Sequence, residues 1–145
     1  MVLPLLGIML VGIIFGGITF FNYAELANAV AAGARELGED GSNQGTGTNA
    51  CQMATKALLS AAGNLDTSQI TISESFVNKS DSCSGTTRLV QGDAGTVTAS
   101  YPCNLPIPFT QINLCPVQGT ASKNPSPNCT TSAYCISATT TVYIE

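Results

Sequence analysis

The chain divides into an uncharged apolar N-terminal segment and a polar remainder. Among its 145 residues, no Asp, Glu, Lys or Arg occurs before Glu25. Met1–Tyr23 is long enough to cross the roughly 30 Å apolar core of a bilayer as a helix. Beyond it, apolar residues recur at the three- and four-residue steps of one helical face, at Tyr23, Leu26, Ala27, Val30, Ala31, Ala34 and Leu37. The pattern predicts one helix over Pro4–Leu37, roughly 50 Å long at about 1.5 Å per residue.

Small residues interrupt the bulky surface of this helix and indicate where another helix can approach. Gly12 and Gly16 form a GxxxG pair, which leaves a bare patch on one face. Pro4 falls in the first turn, where its missing N–H costs least. The predicted helix-packing residues are Pro4, Gly7, Gly12, Gly16, Gly17, Phe20, Phe21 and Tyr23. A generic membrane helix, in which glycine is common, explains the same glycines without a partner.

Beyond the apolar segment, glycines mark the limits of the helical regions. Gly33 is the weak point of the first helix, because glycine costs about 1 kcal/mol relative to alanine in a helix interior. Gly38 is interpreted as its C-cap, and residues 38–48 as a Gly/Ser/Asn-rich connector. A second helix is predicted within Asn49–Ala62. Its apolar face is predicted to carry Met53, Ala57, Leu58 and Ala61.

Three later segments show the two-residue alternation of β-strands. They are Gln69–Val77, a hairpin in Thr87–Tyr101 with Asp93 and Gly95 in its turn, and the final strand Tyr134–Glu145. The final strand is predicted to turn Ile136, Ala138, Thr140, Val142 and Ile144 to one side. In the first segment Glu74 falls on the apolar side, so we expect a bulge or strand end to turn it outward.

These elements predict an α+β fold. A long N-terminal hydrophobic helix, residues 1–37, carries a small antiparallel-sheet head domain, residues 49–145, with a second helix and disulfides. Residues 38–48 form the connector between them. The head is small, so its hydrophobic core is modest, and covalent cross-links would contribute to its stability.

Six cysteines lie outside the apolar segment: Cys51, Cys83, Cys103, Cys115, Cys129 and Cys135. An even number of cysteines in a small polar domain behind a hydrophobic N-terminus indicates disulfides made in an oxidising compartment. All 15 pairings of six cysteines stay open at this stage. Residues Pro102–Ala133 hold three of them and six of the seven prolines, which predicts an extended loop that disulfides hold down.

Composition excludes several classes of function. The net charge is −4, and the five basic residues, Arg35, Lys56, Lys79, Arg88 and Lys123, form no cluster. A nucleic-acid partner or an attraction to anionic lipid headgroups is therefore not expected. The chain has no histidine and no CxxC spacing, which removes the common catalytic triads and zinc sites. We expect no enzymatic activity, no metal and no cofactor.

The N-terminal segment has further interpretations. A cleaved secretory signal peptide needs a basic region before the apolar run, and a simple anchor normally has flanking Lys or Arg. No basic residue precedes Arg35. We therefore expect a processed or truncated N-terminus from which a basic leader is missing.

The short motifs of the N-terminal segment occur in an order that resembles a known protein family. Val2-Leu3-Pro4-Leu5 opens a Gly/Phe-rich apolar helix, followed by Phe21-Asn22-Tyr23, Leu26, Asn28-Ala29 and Ala32-Gly33-Ala34-Arg35. The stretch resembles the N-terminal signature of TadE-like pilins of the Tad (Flp) type IV pilus class. Ile136–Glu145 also resembles the closing strand of that family, whereas the cysteine-rich loop is not matched.

The resemblance implies a structural subunit that resides first in a membrane and then in a filament. It implies a chain anchored in the inner membrane with an extracytoplasmic head, which then polymerises through its helix into an extracellular filament. The partners implied are copies of itself, in a helical homopolymer, or other pilins. Pilins carry a glutamate near the mature N-terminus, but here Leu5 holds the fifth position and the first acid is Glu25. Either the true start is lost or this subunit assembles without that pairing.

Alternatives from other classes remain open at this stage. One is a membrane-anchored, non-polymerising extracytoplasmic binding domain, or a minor pseudopilin, with the Pro102–Ala133 loop as a surface for an unknown receptor. Another is a secreted disulfide-rich protein from which the apolar segment has been removed. Detection of filaments that contain this chain would distinguish a pilin from an anchored binding domain. The mass of the mature chain would show whether the apolar segment has been removed, as the secreted form requires.

Overall fold

The described residues form two α-helices, a one-turn 3₁₀ helix and a three-stranded antiparallel sheet. The computed structural model describes residues 3–40, 50–77, 89, 91–103, 129 and 135–145. Its elements are α1 (Leu3–Asp40), α2 (Ala50–Ala61), a one-turn 3₁₀ helix (Thr67–Gln69), β1 (Thr71–Phe76), β2 (Ala94–Pro102) and β3 (Cys135–Tyr143). The strands pair in the order β1-β2-β3. The predicted α+β fold is confirmed.

α1 runs without interruption from the apolar segment into the head, as the spacing predicts. Its side chains in the core are Leu26, Ala29, Val30, Ala34 and Leu37. Tyr23 and Ala31, which were predicted on this face, are exposed. The buried face is therefore rotated toward the small residues Ala29 and Gly33, because α2 packs on that side of α1.

Gly33 is a packing residue rather than a weak point. A Cβ at this position would lie 3.0 Å from the carbonyl oxygen of Ala54 and 3.0 Å from Cβ of Leu58, both in α2. The absence of a side chain thus allows the two helix backbones to approach closely. The buried residues of α2 are Ala50, Cys51, Ala54 and Leu58. Of the predicted face, Leu58 is buried, whereas the prediction for Ala61 is wrong because it is exposed.

Gly38 lies inside α1, so its interpretation as the C-cap is wrong. A Cβ there would lie 2.8 Å from Cγ2 of Val142 and 3.1 Å from the carbonyl oxygen of Tyr143. The Gly38 carbonyl also accepts a hydrogen bond from the backbone N–H of Glu145, at 3.1 Å. Close contact with the end of β3 explains this glycine. The predicted connector beyond Asp40, residues 41–48, lies outside the described residues.

The sheet packs one face against the helices. Val97, Ala99, Ile136 and Ala138 are buried on that face, and Val142 is partly buried. The alternation predicted for the final strand is confirmed in β3. Because side chains of a strand alternate between the two faces, the residues between these core positions lie on the other face, where they are partly or fully exposed.

The hairpin predicted in Thr87–Tyr101 is wrong. β2 pairs with β1 on one side and β3 on the other, so both of its edges are occupied. The turn before β2 contains Gly92 at φ +90°, a conformation that favours glycine, whereas Gly95 lies within the strand. Gly92 N–H donates to the Ile144 carbonyl at 2.8 Å, which joins this turn to the end of the chain.

Glu74 lies on the inner side of β1 and is half-buried, so the expected bulge or strand end is wrong. The pairing of β1 with β2 is continuous through this residue. Thr55 of α2 donates a hydrogen bond from Oγ1 to Glu74 Oε1 at 3.2 Å. Burial raises the pKa of the Glu74 carboxyl, and the Thr55 bond opposes part of that rise.

Replacing Glu74 with glutamine is expected to raise the stability of the head modestly at neutral pH. The pKa of Glu74 is higher in the folded than in the unfolded chain, so its stabilising contribution is present at low pH and is lost as pH rises through the folded value. Glutamine keeps the acceptor for Thr55 and removes the charge. The check is the free energy of unfolding of both proteins between about pH 4 and pH 8.

The difference between wild type and Glu74→Gln should shrink toward low pH. Glu39→Gln is the comparison for loss of a carboxylate on the surface: it removes the exposed ion pair with Arg35, so it should not raise stability at neutral pH. A difference that stays constant over the whole range would contradict the role assigned to Glu74.

Candidate assembly surface

The N-terminal half of α1 exposes large apolar side chains all around the helix. Their exposed fractions lie between 38 % and 75 %. They are Leu6, Ile8, Met9, Leu10, Val11, Ile13, Ile14, Phe15, Ile18, Phe20, Phe21 and Tyr23. We call residues 6–23 the apolar half of α1. A contiguous apolar surface of this extent requires a lipid or protein environment.

The apolar half matches the thickness of a membrane. α1 is long and apolar enough to cross a bilayer, and none of its apolar window is buried within the chain. The 18 residues from Leu6 to Tyr23 extend about 27 Å at about 1.5 Å per residue. This length is close to the roughly 30 Å hydrocarbon core. The helix therefore supports membrane anchoring.

The glycines among the predicted helix-packing residues have open space around them within the described part of the chain. A Cβ at Gly7, Gly12, Gly16 or Gly17 would meet nothing within 4 Å there. Phe20 is 74 % exposed, and Phe21 and Tyr23 are exposed by about half. Pro4 lies in the first turn of α1. These residues lie along one helix, and their role in packing against a partner stays a prediction.

The hydroxyl of Thr19 is satisfied within the helix. Thr19 donates from Oγ1 to the carbonyl of Phe15 at 3.0 Å. An unpaired hydroxyl in an apolar medium is costly, and this bond to the preceding turn removes that cost. Thr19 is thus compatible with burial in lipid or among helices.

The head begins immediately after the apolar half, without a flexible joint. Leu26 is the first fully buried residue of α1. One residue earlier, Glu25 accepts hydrogen bonds from the backbone N–H of Asn64 at 2.6 Å and from Asn64 Nδ2 at 3.1 Å. The first charged residue of the chain therefore fixes the segment after α2 to α1.

A second carboxylate orders the same loop. Asp66 caps the 3₁₀ helix and accepts bonds from the hydroxyl of Ser68 at 2.6 Å, its backbone N–H at 3.1 Å, and Gln69 Nε2 at 3.0 Å. These bonds lower the pKa of the Asp66 carboxyl below its ordinary value. Because Glu25 and Asp66 both hold this loop, the junction between head and apolar half has a defined geometry.

The described cysteines are all in disulfides. Cys129 and Cys135 are bonded to each other, with a Cα–Cα distance of 6.1 Å. Cys51 in α2 and Cys103, directly after β2, are also disulfide-bonded. Cys83, Cys115 and most of the Pro102–Ala133 loop lie outside the described residues. Disulfides therefore involve both α2 and the sheet.

The described part of the chain offers little to a small ligand. An open groove of about 270 Å³ lies between α1 and β3, with Ala31, Arg35, Thr140 and Tyr143 among its lining residues. Arg35 and Glu39 form an exposed ion pair at 2.8 Å beside it. In this part no group of three His, Cys, Asp or Glu residues is placed to hold a metal ion.

Sequence reasoning missed two features of the junction and the head. The Glu25–Asn64 contact joins residues 39 positions apart, and no local pattern indicates it. Gly33 and Gly38 were interpreted as a weak point and a cap, although a glycine inside a helical pattern also indicates close packing. Gly33 faces α2 and Gly38 faces β3, so each glycine by itself was the available signal.

Comparison with known proteins finds a family match for the N-terminal part of the chain. The family model described as TadE-like protein matches residues 1–35. No curated protein and no solved structure matches the chain at a significant level. The matched residues cover the apolar half of α1 and the first residues that hold the head. Residues 1–35 are therefore similar to TadE-like protein, and together with the apolar helix this similarity fits a membrane protein associated with a Tad pilus.

Proposed function

We propose that this chain is a structural pilin subunit that polymerises through α1 into an extracellular Tad-type pilus. The observation that supports it is the apolar half, exposed on all sides and continuous with the helix that carries the head. Because the junction is rigid, the position of α1 in an assembly also sets the position of its head. The proposed role needs no catalytic group, metal or cofactor.

The proposed mechanism has two stages. The apolar half first anchors the subunit in the inner membrane with the head on the extracytoplasmic side. It then leaves the bilayer and packs among the same segments of other copies, or of other pilins. Repeated heterologous contacts of this kind produce an open helical filament rather than a closed ring.

Packing must drive the second stage, because lipid is as apolar as the filament core. Leaving the bilayer gains no hydrophobic free energy, so close van der Waals contact between helices has to favour assembly. Gly12 and Gly16 provide a bare patch one turn apart, with no other part of the chain near them. We assign to this patch the closest helix–helix contact of the filament.

The direct test is electron microscopy of detergent-free material sheared from cells, with the protein identified by mass spectrometry. Uniform filaments made mainly of this chain are the expected result. Recovery of the protein only in the membrane fraction would overturn polymerisation. That outcome would favour the second candidate, an anchored non-polymerising binding domain or minor pseudopilin, which the bilayer-length apolar half also suits.

Replacing Gly16 with leucine is expected to reduce filament yield while leaving membrane insertion and the head fold unchanged. The leucine fills the bare patch and separates the helices, but it meets nothing within the isolated chain. Gly16→Ala should reduce the yield less, and Ile13→Leu, which adds no bulk, should not reduce it. Normal filament yield from Gly16→Leu would contradict the role assigned to the patch.

A further inference from the structure

The segment between α2 and β1 lies at the end of the head from which the apolar half leaves. We call this segment, residues 63–69, the base loop. Its Asn64 is bonded through both the backbone N–H, at 2.6 Å, and Nδ2, at 3.1 Å, to the carboxylate of Glu25. Glu25 follows the apolar half of α1 by two residues. The base loop is therefore tied to the helix directly beside the apolar half.

The direction of the strands places the far end of this loop at the same level. A Cβ at Gly95, at the start of β2, would lie 3.1 Å from Cδ2 of Leu37, near the C-terminal end of α1. β2 therefore runs from that end of the head back toward the apolar half. Thr71, the first residue of β1, is in register with Ser100, near the end of β2. Both ends of the base loop thus lie at the end of the head that adjoins the apolar half.

The base loop presents a fixed polar surface. Leu65 is buried and holds the loop to the core, whereas Asn64, Asp66, Thr67 and Ser68 are exposed. Burying such groups in hydrocarbon without new hydrogen bonds is costly, so the loop suits water or the polar layer of a membrane.

The length of the apolar half sets the height of this loop above a bilayer. Residues 6–23 extend about 27 Å, which nearly fills the roughly 30 Å hydrocarbon core. The headgroup layers add roughly 5–7 Å on each side. Leu26, the first fully buried residue, lies three residues beyond Tyr23, which is about 4.5 Å along the helix. The head thus begins within the headgroup layer.

Opposing costs keep the helix from sliding along the membrane normal. An outward shift of one turn, about 5.4 Å, would take Phe20 and Phe21 out of the hydrocarbon. An inward shift of the same size would carry the carboxylates of Glu25 and Asp66 toward the hydrocarbon, where charged groups are expensive. The height of the head is therefore defined to within about one helical turn.

We propose that the base loop lies in the lipid headgroup layer and contacts it directly in the anchored subunit. The inference rests on the anchored stage of the proposed function and adds a lipid-contacting surface on the head. The loop contains no Lys or Arg, and Asp66 is its ionisable residue. The length of the helix, rather than attraction to anionic lipid, imposes the contact. A zwitterionic phosphatidylcholine surface is therefore a sufficient partner.

Fluorescence quenching in vesicles tests the contact with the full chain. Phosphatidylcholine vesicles carry a nitroxide on part of their headgroups, and Thr67→acridonylalanine places a fluorophore on the base loop. Gln52→acridonylalanine is the control, because it is exposed ten residues before Ala62, about 15 Å farther along α2 from the loop. Quenching should be several-fold stronger at Thr67 than at Gln52. Equal quenching at both positions, or none at Thr67 in chains that float with the vesicles, would overturn the proposal.

Lengthening the helix provides an independent test. Four residues, alternating alanine and glutamine, inserted between Tyr23 and Ala24 should raise the head by about 6 Å and lower the quenching at Thr67 several-fold. The same four residues inserted after Asp40, at the opposite end of α1, are the matched control and should leave the quenching unchanged. Quenching that is insensitive to both insertions would mean that helix length does not place the loop, and the proposal would be wrong.

The two proposals fail separately. If the base loop is quenched in vesicles but cells form no filaments of this chain, the pilin function fails and the membrane contact stands. If filaments form but the base loop is not quenched, the pilin function stands and the membrane contact is wrong.

Discussion

Replacing Ile13 with aspartate is expected to remove the protein from the filament and to weaken its retention in the membrane. Ile13 is 74 % exposed in the middle of the apolar half. A short carboxylate at the centre of a membrane helix costs about 3 kcal/mol and cannot reach the interface as lysine does. Burial among helices in a filament core imposes a similar penalty. The measurement is the amount of protein in the membrane and sheared fractions.

The head should fold normally in this variant. Ile13 lies 13 residues before Leu26, the first fully buried residue, which is about 20 Å along the helix. Ile13→Val is the control, since it keeps the site apolar and should retain wild-type amounts in both fractions. Filaments in normal yield from Ile13→Asp would mean that the apolar half is not buried during assembly, which would contradict its proposed role.

Local patterns were sufficient to predict α1, α2, β1 and β3. The unbroken apolar spacing predicts α1, and the two-residue alternation predicts β1 and β3, because both patterns depend on neighbouring residues. The apolar half could also be predicted, since its signal is the absence of charge before Glu25. The glycines of the apolar half can likewise be identified from the sequence without knowing how the head folds.

Contacts between distant residues could not be predicted from these patterns. The partners of β2 are β1 and β3, whereas local turn residues favoured a hairpin within Thr87–Tyr101. Glu74 is half-buried and accepts a hydrogen bond from Thr55, which lies 19 residues earlier in the chain. The buried face of α1 depends on where α2 packs. Each error therefore arises where tertiary contact overrides a local preference.

The surfaces of the chain divide in the same way. The helix-packing residues could be predicted from the sequence, because they lie within the single helix α1. The nine serine and threonine residues that align on the outer face of the sheet come from three segments that are far apart in the sequence, so only the strand register reveals their alignment. Thr98 and Thr139 become neighbours only when β2 and β3 pair, so no sequence motif indicates this alignment.

Replacing Gly33 with valine is expected to destabilise the head by about 1–3 kcal/mol, the usual range for overpacking a well-packed contact. Even a Cβ would lie 3.0 Å from the Ala54 carbonyl oxygen and from Leu58 Cβ. Valine adds two further methyl groups and has little rotamer freedom in a helix. The helices must separate to accept it. Thermal and denaturant unfolding of the full chain in detergent measure the loss.

Ala31→Val is the matched control, because it places the same β-branched side chain on an exposed position of the same helix. Its helix-propensity cost is a few tenths of a kcal/mol, so it should change stability little. The difference between the two variants thus isolates the helix–helix contact from propensity. Equal stability of the two variants would mean that α1 and α2 do not approach closely at Gly33. The rigid link between the apolar half and the head would then need another explanation.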